Sequence, residues 1–215
     1  MKDSYGREIN YLRISITDRC NLRCVYCMPM DGMAFVPGPE LLTSGEIEAV
    51  ARAAADAGFQ KIRLTGGEPT LRRDVVEIVE RLTHIPGIRE VVMTTNGLRL
   101  PWLAEPLAKA GLGRVNIHID TLNETRLTRV MRLNSLEKIW AGIEAAEQSE
   151  LVPIKLNVVV TRGYNEEDVT DLAQLTLEHD WHVRFIELMP LGGPAEIAFS
   201  HYVPTRESMD RIEAN

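Results

Sequence analysis

Short β-branched runs alternate along the chain with longer stretches whose apolar positions recur at helical spacing. The runs are LRISIT (12–17), KIRLT (61–65), EVVMTT (90–95), RVNIHID (114–120), IKLNVVVT (154–161) and HVRFIELM (182–189). Between them, SGEIEAVARAAADAG, DVVEIVERL, PWLAEPLAKAG, SLEKIWAGIEAAEQ and EEDVTDLAQLTLEH predict amphipathic helices. Thr43 ahead of the first helix, Gly58 behind its last turn and Gly111 behind that of the third supply start and stop signals. Strand–helix alternation this regular predicts βαβ units and a parallel sheet.

The strands themselves alternate. Arg13, Ser15 and Thr17 share one side of the first run, with Leu12, Ile14 and Ile16 on the other. Arg63 and Thr65 repeat the pattern, as do Asn116, His118 and Asp120, and then Lys155 and Asn157. In a barrel the apolar side packs on outer helices and the polar side lines the interior, which is here too polar for a packed core and suits a ligand. A doubly wound sheet, with helices on both faces, would bury those polar groups without partners. Six runs fall short of the eight that close a full barrel. The expected fold is therefore α/β, a partial (β/α)₆ TIM-like open barrel. Residues 1–190 are expected to form that core. Residues 191–215 read as an extension, with Thr205 as an N-cap, Met209 and Ile212 on one helical face, and further sequence expected beyond.

Composition narrows the function classes. A chain of 215 residues, 45% hydrophobic and 26% charged, suits one sizeable domain. Its net charge of −7 argues against nucleic-acid binding. No apolar run reaches membrane-spanning length, and MKDSYGREIN lacks a signal-peptide core, so a cytoplasmic protein that engages no membrane is expected.

All three cysteines lie in TDRCNLRCVYCMP, as Cys20, Cys24 and Cys27, just after the first strand. An odd number in so short a stretch is no disulfide framework. Three thiolates can hold three irons of a [4Fe-4S] cluster and leave the fourth iron open to an outside ligand. Zinc is the alternative, but it calls for a fourth ligand nearby, and the nearest histidine along the chain is His84. Cations pose a second question. Arg13, Arg63 and Lys155 come from three strands and point to one side, where they would repel each other unless an anion sits between them. Pairing with an internal carboxylate such as Asp120 or Glu187 is the other reading.

The C-x₃-C-x₂-C loop and the GGEP turn (66–69) after the second run resemble the radical S-adenosylmethionine (radical SAM, AdoMet) superfamily. The longer strings LRISITDRCNLRCVYCMP, KIRLTGGEPTLRRD, MTTNG, KLNVVV and RFIELMPLG resemble its branch that cyclises GTP in molybdenum cofactor biosynthesis. The resemblance implies one [4Fe-4S] cluster on Cys20, Cys24 and Cys27, and AdoMet bound by Tyr26, Gly67 and Met189. It further implies GTP bound by Arg13, Arg63, Thr94 and Lys155. It also implies lyase chemistry driven by a 5′-deoxyadenosyl radical, an electron donor as partner, and either a homodimer or a missing C-terminal portion.

Two departures stand out. The branch offers a serine to AdoMet where this chain has His118, and that role is not carried over. It also binds the guanine base through a second three-cysteine cluster, whereas no cysteine follows Cys27 here. A radical AdoMet enzyme for another substrate and a non-catalytic nucleotide- or AdoMet-binding remnant are therefore the alternatives.

Overall fold

The computed structural model describes residues 2–28, 34–189 and 199–214. Six strands are laid down as β1 (Tyr11–Ser15), β2 (Lys61–Thr65), β3 (Glu90–Thr95), β4 (Arg114–His118), β5 (Lys155–Val160) and β6 (His182–Glu187). Among the described residues the helices are α1 (Ser44–Asp56), α2 (Val75–Thr83), α3 (Leu100–Lys109), α4 (Glu124–Val130), α5 (Glu137–Gln148), α6 (Val169–Glu178) and α7 (Thr205–Glu213). The strands form one sheet in the order β1-β2-β3-β4-β5-β6. That sequential order has no switch point, whereas a doubly wound sheet reverses direction partway along. With right-handed crossovers it places every connecting helix on the same face, as a (β/α)₆ topology requires.

The chain divides into two compact units, one of residues 1–21, 35–116 and 142–152, the other of residues 22–34, 117–141 and 153–215. In the first unit β1 pairs with β2 and β2 with β3, all parallel, with Arg13 opposite Arg63 and Arg63 opposite Val92. Helix α2 shows why its sequence is helical: Val75, Ile78, Val79 and Leu82 recur at i, i+3, i+4 and i+7 and are almost wholly buried. Burying side chains of that size contributes about 1.5–3 kcal/mol each. Helix α1 opens with a capping box in which the Thr43 side chain accepts from the Glu46 N–H and the Glu46 carboxylate accepts from the Thr43 N–H. Gly58 and Gly111, at φ of 97° and 92°, take the left-handed conformation beyond the ends of α1 and α3.

In the second unit β5 pairs in parallel with β6, Lys155 opposite His182 and Asn157 opposite Arg184. Two features differ from the reading of the sequence. The first is α4, which the hydrophobic pattern does not announce, because a seven-residue helix contributes only Leu127 and Val130 to the core. It is secured instead by its N-cap, Asn123, whose side chain accepts from the Arg126 N–H. The second is the cap of α7, which is Pro204 rather than Thr205 and makes no side-chain cap bond. The Thr205 N–H donates to the Glu187 carboxylate at the end of β6, so the strand supplies the cap from outside. Residues 190–198 and Pro29, part of the PLG and YCMP strings, lie outside the described residues.

Candidate active site at the cysteine loop and the strand ends

The cysteine loop follows β1 directly. Cys20 is half-buried, Cys24 buried and Cys27 exposed, and no disulfide joins them. The N–H groups of Cys27 and Met28 both donate to the Cys24 carbonyl, at 2.9 and 3.1 Å, and so wind Cys24–Met28 into a turn. The Val25 N–H donates to the Val130 carbonyl at 2.9 Å, tying the loop to the end of α4. Arg23 braces the turn from within, donating to the Leu22 carbonyl at 2.8 Å and approaching the Met28 sulfur at 3.8 Å.

The GGEP turn is held against the segment that leads into the loop. The Gly67 N–H donates to the Thr17 carbonyl and the Glu68 N–H to the Arg19 carbonyl, both at 2.6 Å. A Cβ on Gly66 would stand 2.5 Å from the Thr17 carbonyl oxygen, and one on Gly67 only 2.3 Å from that of Arg19. The paired glycines are thus required by the close approach of the chain to itself, and the Gly67 N–H is spent on that contact. Glu68, 1% exposed, does what its position in the sequence does not announce. Its carboxylate accepts from the Thr70 N–H and hydroxyl at 3.0 and 2.5 Å, from the Thr95 hydroxyl at 2.7 Å and from the Asn96 N–H at 2.7 Å. Asn96 in turn donates through its side chain to Asn21, the neighbour of Cys20, at 2.8 Å. One buried carboxylate therefore locks the turn after β2 to the turn after β3.

Of the proposed anion contacts, Arg13 and Arg63 stand side by side in register on β1 and β2, and Thr94 lies on the same side of β3 by the strand period. Arg13 donates from Nε to the Thr65 hydroxyl at 3.4 Å. The Arg63 guanidinium lies 5.2 Å from the centroid of the Tyr11 ring, and its buried Nε meets no hydrogen-bond partner among the described residues. Neither arginine pairs with a carboxylate among those residues. Asp120 and Glu187, the internal acids weighed as their partners, bond elsewhere. Lys155 belongs to the second unit, half-buried in register with His182. Met189, at the end of β6, is 64% exposed.

Tyr26, His118 and Asp120 meet in the second unit. His118 and Asp120 are two residues apart in extended chain, which sends both side chains to one side. The Tyr26 hydroxyl lies 2.5 Å from Asp120 Oδ2 and 2.6 Å from His118 Nε2, which is itself 3.1 Å from Oδ2. The other carboxylate oxygen, Oδ1, accepts from the Val159 N–H at 2.8 Å, and the Asp120 carbonyl accepts from the Asn165 side chain at 2.7 Å. Asp120 is fully buried and pinned from behind. The Cys24 sulfur joins the group, its ligand atom and those of His118 and Asp120 all within 4.8 Å of one another. Burial pushes the Tyr26 phenol well above its ordinary value, and the negative charges of Asp120 and Cys24 add to that. Burial opposes a charge on His118, yet attraction and hydrogen bonding to Asp120 and Cys24 prevail and hold its pKa well above that of a free histidine. Position 118, set aside in the sequence as a departure, is thus a working part of this cluster.

The model of the radical SAM superfamily matches residues 14–176. The chain is 52% identical over 214 residues to a GTP 3′,8-cyclase of Pelotomaculum thermopropionicum, covering 100% of this chain and 66% of that protein. It thus spans slightly less than two thirds of that relative's length. Among solved structures, methylornithine synthase superposes with a TM-score of 0.70 at 16% identity, covering 97% of this chain and 63% of that one. Streptococcus suis SuiB bound to S-adenosylmethionine superposes with a TM-score of 0.64 at 21% identity, covering 86% and 42%. These likenesses carry the fold, a partial (β/α)₆ barrel of TIM-like type. The family works with a [4Fe-4S] cluster and AdoMet, and the donor set here fits the cluster: three thiols within eight residues, none in a disulfide, on a loop wound about the Cys24 carbonyl. With that match running from β1 into α6, this chain belongs to the radical SAM superfamily.

Proposed function

We propose that the chain is the AdoMet-cleaving core of a GTP 3′,8-cyclase, a cytoplasmic lyase of molybdenum cofactor biosynthesis. The observation that carries this reading is 52% identity to such a cyclase over the whole chain. In it, Cys20, Cys24 and Cys27 hold the cluster, while Tyr26, Gly67 and Met189 receive AdoMet. Arg13, Arg63, Thr94 and Lys155 receive GTP, residues 1–190 make up the core, and residues 191–215 extend it. A reductant is the required partner. When bound, cluster and AdoMet together supply one-electron cleavage of the sulfonium and a radical that removes a hydrogen atom.

The chain's own residues bind and orient. Arg13 and Arg63, adjacent like charges with no carboxylate partner among the described residues, leave planar donors suited to a triphosphate. Glu68 fixes the two turns on which AdoMet contacts would rest, and fixed geometry is worth far more to a radical capture than affinity. Met189 would lose its exposure under the adenine ring.

The test is anaerobic reconstitution with iron and sulfide, reduction with dithionite, and analysis of products from AdoMet and GTP deuterated at the ribose 3′ carbon. Deuterium should pass into 5′-deoxyadenosine, while cyclised nucleotide stays near background, because this sequence has no thiols for a base-binding second cluster. Formation of 5′-deoxyadenosine indifferent to GTP would assign the core to another substrate, and no cleavage at all would leave a binding module.

A further inference from the structure

We propose that Cys24, His118 and Asp120 form a site for a single divalent transition ion, zinc foremost, which competes with the iron–sulfur cluster for the Cys24 sulfur. The three ligand atoms lie within 4.8 Å of one another without an ion to draw them together. Around a tetrahedral zinc with bonds of about 2.0–2.3 Å, ligand atoms stand roughly 3.2–3.8 Å apart, so side-chain rotation alone closes the difference. Thiolate, imidazole and carboxylate are the donors that zinc accepts, and three of them leave a fourth position for water. The Tyr26 hydroxyl, 2.5 Å from Oδ2 and 2.6 Å from Nε2, is placed to hydrogen-bond that water.

The surroundings are those of a metal site. The Val159 N–H takes Oδ1 and leaves Oδ2 aimed at the imidazole, which is the outer-shell arrangement that orients a ligating carboxylate. Asp120 is fully buried and Cys24 is 8% exposed, so the ion would bind in low dielectric. Cys24 cannot serve both centres, so an ion here excludes the cluster. The site itself does not depend on the GTP reading; only the competition rests on assigning Cys24 to the cluster.

The 215-residue chain, freed of metal by chelation and kept reduced, is titrated with Co²⁺ and then with Zn²⁺. One Co²⁺ per chain should appear with a sulfur-to-metal charge-transfer band and the intense visible bands of a tetrahedral ion, and zinc should erase them. His118→Ser and Asp120→Asn should each weaken binding more than about 100-fold, beyond the 10–100-fold loss that follows removal of an outer-shell partner. Cys20→Ala, Cys27→Ala and Tyr26→Phe should bind within a few-fold of the parent chain. Zinc-loaded chain should take up iron and sulfide more slowly than zinc-free chain, and His118→Ser should abolish that difference. Circular dichroism checks each fold, and His118→Gln replaces His118→Ser if the serine variant does not fold. A tetrahedral signal that survives the His118 and Asp120 substitutions but disappears with Cys20→Ala or Cys27→Ala would put the ion on the three-cysteine loop and overturn the proposal. So would a failure of the parent chain to bind one equivalent. Iron content after reconstitution without zinc tests the cluster separately.

Discussion

Beside the motifs that carry its chemistry each unit holds a buried carboxylate, Glu68 in the first and Asp120 in the second, and the two are treated differently. Glu68 in the first unit is met by four neutral donors, two from backbone and two from threonine hydroxyls, none of which titrates. Asp120 in the second unit gives one oxygen to a backbone N–H and the other to a phenol and an imidazole, with a thiol beside them. The first arrangement is complete within the chain and can only hold shape. The second shares one oxygen between two groups that can exchange protons or be displaced by an ion. A buried carboxylate is structural when its donors are fixed and neutral, and chemical when they are not.

The largest effect should follow Glu68→Ala, which strands four buried donors. At about 1–3 kcal/mol for each unsatisfied group, a loss of roughly 4 kcal/mol or more is expected in urea unfolding. A loss under about 1 kcal/mol would mean that water replaces the carboxylate and that the first unit is no more self-contained than the second. Gly67→Ala comes next. Its Cβ would meet backbone that cannot rotate away, so the upper end of the 1–3 kcal/mol cost of overpacking is expected, near 3 kcal/mol. Asp120→Asn should cost less, about 2 kcal/mol, since the amide oxygen can still accept from the Val159 N–H. If it destabilised the metal-free chain as much as Glu68→Ala, the contrast between the carboxylates would fail.

The smallest effect concerns a third acid, Glu187, half-buried at the end of β6. Its hydrogen bonds from Thr205, then from Tyr202, hold its pKa below the ordinary glutamate value of 4.5. The sign follows: a lowered pKa stabilises the docked state above pH 4.5, and that contribution disappears as pH falls through the lowered value. Measured as protection factors, which allow for the slower intrinsic exchange in acid, protection across α7 should therefore fall on acidification while that of β5 holds. An equal fall in both would show that the carboxylate does not act locally.

Much of the fold was legible in the sequence because strand and helix periods are local properties. KIRLT and EVVMTT coincide with β2 and β3 to the residue, and Thr43 caps α1 as its place ahead of the helix announces. The failures were also physical. Helix α4 is too short for a periodic signal, and the cap of α7 comes from a carboxylate 18 residues away. The candidate site was legible only where its residues are consecutive. The cysteine spacing and the GGEP turn announce themselves. The clamp by Glu68 depends on Thr95 and Asn96, 27 and 28 residues further on. Zinc ligands were sought along the chain, where His84 is nearest, while folding brings His118 and Asp120 to Cys24 instead. Arg13, Arg63 and Lys155 were expected on one side from the strand period; the structure sets the two arginines in register on β1 and β2.

The borrowed cap of α7 has a consequence for the order in which the chain acquires structure. A nine-residue helix is too short to persist alone, and this one opens on a proline that contributes no side-chain bond. Its first turn is completed only once Glu187 is in place at the end of β6, and its body packs on α6 and β6. Helix α7 is therefore a late element, formed on a finished edge rather than helping to build it. Substitutions within it should leave the refolding rate of the core nearly unchanged and appear almost entirely in the unfolding rate.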